Sequence, residues 1–146
     1  MLDGKPVTPR TPWKVSFGIG QVFAGCVLAG VIFTALIFLW LSFVVPDDVI
    51  TSFDPPTTVA RLTLYFGAVG GVLFLVVGPE VALVLGWLLR RVENQSLHVL
   101  AFAGAGAVLG FVVGLPFGAD LSSALGPTFG ASAALSRMIM SRWARV

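Results

Sequence analysis

The chain has 146 residues, 57% of them apolar and only 11% charged, with a mean hydropathy of +0.97 and a formal net charge of +2. A soluble domain carries roughly 25% charged residues, so too little polar surface exists here to coat a globule, and lipid must be the solvent. The small net charge gives no basis for a nucleic-acid partner, and the single cysteine, Cys26, rules out an intrachain disulfide.

Residues 1–15 form a Pro-rich arm with Lys5, Arg10 and Lys14, expected to be extended and cytoplasmic. The first apolar run extends from about Ser16 to Val45. It is far longer than the roughly 7–15 residues of a signal-peptide core, and no A-x-A site follows, so it reads as a retained helix. The loop Pro46 to Ala60 carries Asp47, Asp48 and Asp54 and no Lys or Arg. The second run, Arg61 to Arg90, is interrupted only by Glu80; the third lies between Glu93 and Asp120. The fourth, Leu121 to Ser136, is short and needs Met138 to Met140 to complete it. About 20 residues cross the hydrocarbon as a helix, the only form a single spanning segment can take where no water satisfies the backbone. The expected organisation is an all-α, antiparallel four-helix membrane domain over 16–140, with a basic tail at 141–146.

Charge fixes the expected orientation. Eight of the nine basic residues fall on one side; Arg61 is the exception. Both termini are therefore expected in the cytoplasm, in a bacterial inner membrane. Trp13, Trp87 and Trp143 fall at the inner boundary, and Trp40 and Tyr65 near the outer one, as an aromatic belt requires. The Arg- and Trp-bearing tail is expected along the inner surface beside anionic lipid.

Gly106, Gly110, Gly114 and Gly118 recur every fourth residue, which places them on one helical stripe. In lipid, small residues hold helices together by letting backbones approach. The stripe predicts packing within the bundle or a seam for self-association.

Two helices carry Gly-Pro: Gly78-Pro79 and Gly126-Pro127. Measured from Arg90 and Arg137, the prolines fall at nearly equal depth. Matched interruptions of this kind point to transporter sites, although proline is also frequent in membrane helices. Glu80 follows directly, about 7 Å inward of its helix centre. An ionised carboxylate at such depth costs about 2.5–3.5 kcal/mol, a cost that protonation relieves. On a helical wheel Gly71, Gly78 and Ala82 lie opposite Glu80, which sends Glu80 toward a second interface. Thr128 is the expected hydrogen-bond partner, and no basic residue is expected at that depth. Glu80, Pro79, Thr128 and Pro127 are thus the candidate binding or coupling residues, with structural hydrogen bonding by Glu80 as the equal alternative.

His98 is a lone histidine near the inner boundary, without metal-ligand partners, and no nucleophile set can converge on it. Neither an enzyme, a metal nor a cofactor is expected. The Asn94 glycosylation sequon falls on the cytoplasmic side, where it is silent.

The stretch "GPEVALVLGWLLRRVENQSLHVLAFAGAGAVLG" resembles the centre of short, four-helix membrane proteins of high-GC Gram-positive bacteria that have no assigned function. The shared features are a Gly-Pro break, Leu-Leu-Arg-Arg, then His and a glycine-rich helix. The resemblance covers the middle third of the chain and implies the layout but no activity. Two functional classes stay open: a small oligomeric transporter or channel using Glu80, or a non-catalytic subunit of a larger membrane complex.

Overall fold

The computed structural model describes residues 18–51, 58–92 and 94–143. The N-terminal arm, Asp54, Glu93 and the last three residues of the tail lie outside the described residues. In chain order the elements are α1 (Ile19–Phe43), the short α2 (Asp47–Thr51), α3 (Val59–Leu88), α4 (Gln95–Gly114), a 3-10 turn (Leu115–Phe117) and α5 (Ala119–Trp143). Among the described residues there is no strand. The loop after α1 is thus partly helical, since Asp47 and Asp48 sit at the N-terminus of α2, where carboxylates suit the helix dipole.

Local chemistry sets the other ends. The Thr58 hydroxyl accepts from the Arg61 amide and starts α3, and the Asn94 side chain accepts from the Ser96 amide and starts α4. Pro116, which has no amide hydrogen, falls within the 3-10 turn that ends α4, and Gly118 follows with φ of 107°. That left-handed backbone is open to glycine and strained for other residues. Gly118 therefore makes the corner into α5, outside the helical stripe its spacing suggested.

Three segments are long and apolar enough to cross a membrane: Ile19–Phe43, Val59–Leu88 and Gln95–Phe117. Their outer faces remain apolar and exposed, as at Val31 (62%), Leu64 (70%) and Val108 (66%), which is how a helix meets lipid rather than water. α5 has 25 residues but is less apolar, carrying five Ser or Thr hydroxyls before Arg137. Those hydroxyls are not left bare. Ser122, Thr128 and Ser132 donate to the carbonyls of Gly118, Ala124 and Thr128, four residues back, and Ser123 donates to Asp120.

The helices form two hairpins. α1 lies along α3, α4 lies along α5, and α1 joins the pairs by packing on α5, while α3 and α4 barely touch. The core sits where the hairpins meet. Phe33 of α1, Phe74 of α3 and Phe129 of α5 form one aromatic cluster, with Phe33–Phe129 centroids 4.5 Å apart and Phe74–Phe129 stacked at 5.0 Å. Phe33 and Phe129 are each 1% exposed.

The α4–α5 contact is close because its surfaces are nearly bare backbone. A methyl group at Gly110 would stand 2.5 Å from the Leu125 carbonyl oxygen; at Gly106, 2.8 Å from that of Phe129; at Gly114, 2.5 Å from the Ser122 Cα. The approach is reciprocal, since Gly130 of α5 faces the Ala103 carbonyl at 2.8 Å by the same measure. Gly118 has nothing within 4 Å.

The candidate site around Glu80

α3 turns one side to α1. Gly67 faces Thr34, Gly70 faces the Phe33 ring, and Gly78 faces Cys26, whose sulfur would stand 2.9 Å from an added methyl. Glu80 lies off this contact and is exposed. Its neighbours along the helix surface, Val76, Leu83, Val84 and Trp87, are 60–65% exposed. No hydrogen bond or ion pair joins Glu80 to another described residue.

The depth relations differ from those the sequence suggested. Gly25 and Cys26 are consecutive on α1. The first accepts a hydrogen bond from Ser136 of α5 and the second faces Gly78 of α3. Hence Gly78 and Ser136 share a level. Pro79 sits near that level, but Pro127 comes nine positions before Ser136 on α5, about 13 Å away at ~1.5 Å per residue. The two prolines are therefore not at matching depth. The reason is that α5 continues as helix to Trp143, six positions past Arg137, so Arg137 does not end its helix. Both helices run unbroken through their prolines.

Thr128 is likewise at a different level from Glu80, next to Phe129, and its hydroxyl donates to the Ala124 carbonyl at 2.7 Å. The structure does not bring Glu80 and Thr128 together, nor Pro79 and Pro127. Sequence reading took Arg137 for the end of its helix because it stands between an apolar run and a basic tail, whereas α5 continues to Trp143.

Two clefts line the α3 surface. A shallow groove of about 190 Å³ runs between α1 and α3 over Cys26, Gly30, Thr34, Gly67, Gly71 and Leu75. A cleft of about 30 Å³ lies near the 3-10 turn between α3, α4 and α5, walled by Phe66, Leu73, Val113 and Phe117. Both are almost wholly apolar. Among the described residues no cluster of His, Cys, Asp or Glu has a metal-binding arrangement. His98 Nε2 lies 2.9 Å from the Val92 carbonyl, where it closes the α3–α4 turn. On α5, the Ser141 hydroxyl receives the Gln95 amide from α4 and donates to Met138. No family model, curated protein or solved structure matches this chain.

Proposed function

We propose that this chain is a multi-pass inner-membrane protein, with α5 as a fourth span and both termini cytoplasmic, that works as an assembly in which Glu80 serves transport of a proton or small cation. The observation that carries the reading is Glu80 itself: a carboxyl two turns inside the Trp87 end of an apolar helix, exposed, with no partner among the described residues. Intramembrane acids mark ion pathways or pair with another group. Among the described residues one chain supplies neither a polar crevice nor a paired acid at Glu80, which favours an assembly in which a neighbouring copy lies against it. The α5 span is supported by its back-bonded hydroxyls, which hide from lipid the polarity that lowers its hydropathy. Its 25 residues extend about 37 Å, enough for a bilayer core. Exposed Arg90, Arg91 and Arg142, with Trp87 and Trp143, suit an inner surface rich in anionic lipid.

The test is ion flux in proteoliposomes for wild type and Glu80→Gln. Transport through Glu80 requires flux in the wild type and its loss in the variant; equal flux from two folded proteins removes the reading.

A specific observation favours a second reading, a non-catalytic subunit of a larger complex: the clefts are small and apolar, with no room for hydrated cargo within one chain. Mild-detergent purification separates the two, since an accessory subunit brings a larger membrane partner with it.

A further inference from the structure

Glu80 lies inside the apolar span Val59–Leu88, eight residues before its last. The residues around it on the α3 surface are Val76, Leu83, Val84 and Trp87, none of which carries a side-chain oxygen. Neither cleft is lined by Glu80. One backbone oxygen nearby lacks its usual helical bond, because Pro79 has no amide hydrogen to give to the Leu75 carbonyl. Leu75 lies about 140° round the helix from Glu80 and lines the groove toward α1 instead.

Few charges face this flank from the packed elements. Among the described residues of α1 only Cys26 titrates, and it faces Gly78. α4 carries only His98, whose Nε2 lies against the Val92 carbonyl. α5 reaches α3 through the Phe74–Phe129 stack; its Asp120 is in the first turn, its Arg142 in the last, and its Arg137 guanidinium lies over the Phe102 ring of α4. Just past α3 itself, Arg90 lies over the Trp87 ring, ten residues on from Glu80.

The setting separates two kinds of cation. A metal ion that leaves water needs its shell replaced: calcium takes roughly six to eight oxygens and magnesium about six, and potassium a cage of carbonyls. Glu80 offers one carboxyl, and no metal-binding cluster exists among the described residues. Another copy against this flank adds little. At about this depth its exposed polar side chains are its own Glu80 and Gln21, the latter about one turn further inward on α1. A proton needs a single carboxylate oxygen and no cage. It also converts a charge that is costly in hydrocarbon into a neutral acid.

We propose that the cation held by Glu80 is the proton, and that this carboxyl exchanges it on the lipid-facing surface of α3 without ever ligating a metal ion. The inference rests on the reading of Glu80 given above for what the exchange serves, and it names the cargo.

The test uses the unmodified full chain in proteoliposomes and a lipid-soluble carbodiimide. A neutral carboxyl adds across the N=C=N group, its oxygen to carbon and its proton to nitrogen. The O-acylisourea so formed rearranges to a stable N-acylurea, with no further reactant. Mass spectrometry of the peptide that contains residue 80 is expected to find the adduct. Its rate is expected to fall as the pH of the medium rises and to stay unchanged with sodium, potassium, magnesium or calcium at constant ionic strength. Slowing by any one of these ions overturns the proposal, because that ion then competes for the carboxyl. So does a folded protein that stays unlabelled, or that reacts only with a water-soluble carbodiimide, which would place Glu80 in a wet crevice. The expected labelling together with full flux in Glu80→Gln leaves the proton site standing and removes the transport reading. Protection by a metal ion together with lost flux in Glu80→Gln removes the proton and keeps transport.

Discussion

The Ser136 hydroxyl donates a 2.6 Å hydrogen bond to the Gly25 carbonyl, from α5 to α1, across 111 positions of sequence. It ties one hairpin to the other and fixes the height of α5 against α1. The bond does not depend on glycine at position 25, since a methyl there would stand 3.7 Å from Met140 and 3.8 Å from the Ser136 oxygen, in ordinary contact. An interhelical hydrogen bond in a membrane protein contributes about 0.6 kcal/mol on average, with a maximum near 1.7. Ser136→Ala is expected to lose an amount in that range, read by unfolding in mixed micelles. No loss at all would mean that packing alone sets the α1–α5 height.

The close α4–α5 approach predicts opposite outcomes at two glycines six residues apart on one helix. Gly110→Ala drives a methyl into the Leu125 carbonyl at 2.5 Å and Phe129 Cβ at 2.8 Å, both on a rigid helix. Overpacking of this kind costs about 1–3 kcal/mol. Gly104 has nothing within 4 Å, so Gly104→Ala is expected to be neutral or slightly stabilising. Equal destabilisation by the two substitutions, in the same unfolding assay, would show that backbone contact is not what holds the hairpin.

Phe129 touches both other rings of the core cluster and is 1% exposed. Truncating it to alanine opens a cavity where the two hairpins meet, at a cost of about 3–5 kcal/mol. The hairpins would then separate before either unravels. Limited proteolysis of Phe129→Ala should cut first in the α3–α4 turn, leaving two protected halves.

Thr63 is 8% exposed and its hydroxyl has no hydrogen-bond partner among the described residues. A buried polar group left unpaired costs about 1–3 kcal/mol. Thr63→Val, which keeps the shape and removes the hydroxyl, is expected to raise stability by about 1 kcal/mol. A decrease would show that the hydroxyl finds a partner in the membrane, for instance from a second chain.

The orientation is tested by thiol labelling in a Cys26→Ala background. Asp120→Cys, in the first turn of α5, should react with an impermeant maleimide from outside intact cells, and Asn94→Cys only after permeabilisation. The reverse pattern would invert the topology.

The sequence alone determined the class of protein, because an apolar majority with little charge has no other solvent than lipid. It also located the three most apolar spans within a few residues, and the acid at position 80, since a charge in an apolar run needs no fold to be noticed. It could not say which side of each helix meets protein. In a membrane both lipid-facing and core-facing residues are apolar, so the amphipathic signal that orients a helix in water is nearly absent. Phe33 in the core and Val31 in lipid read alike. Glycine spacing misled at Gly118 for a related reason: periodicity continues past the point where Pro116 ends the helix. Likewise, a lone Arg after an apolar run looks like a boundary until α5 is seen to continue to Trp143. Only the tertiary structure decided that α1 pairs with α3 and α4 with α5, and that Pro79 and Pro127 differ in depth. Each of these is a relation between helices, set by the heights at which Gly25 meets Ser136 and Cys26 meets Gly78, and no single segment carries that height in its own residues.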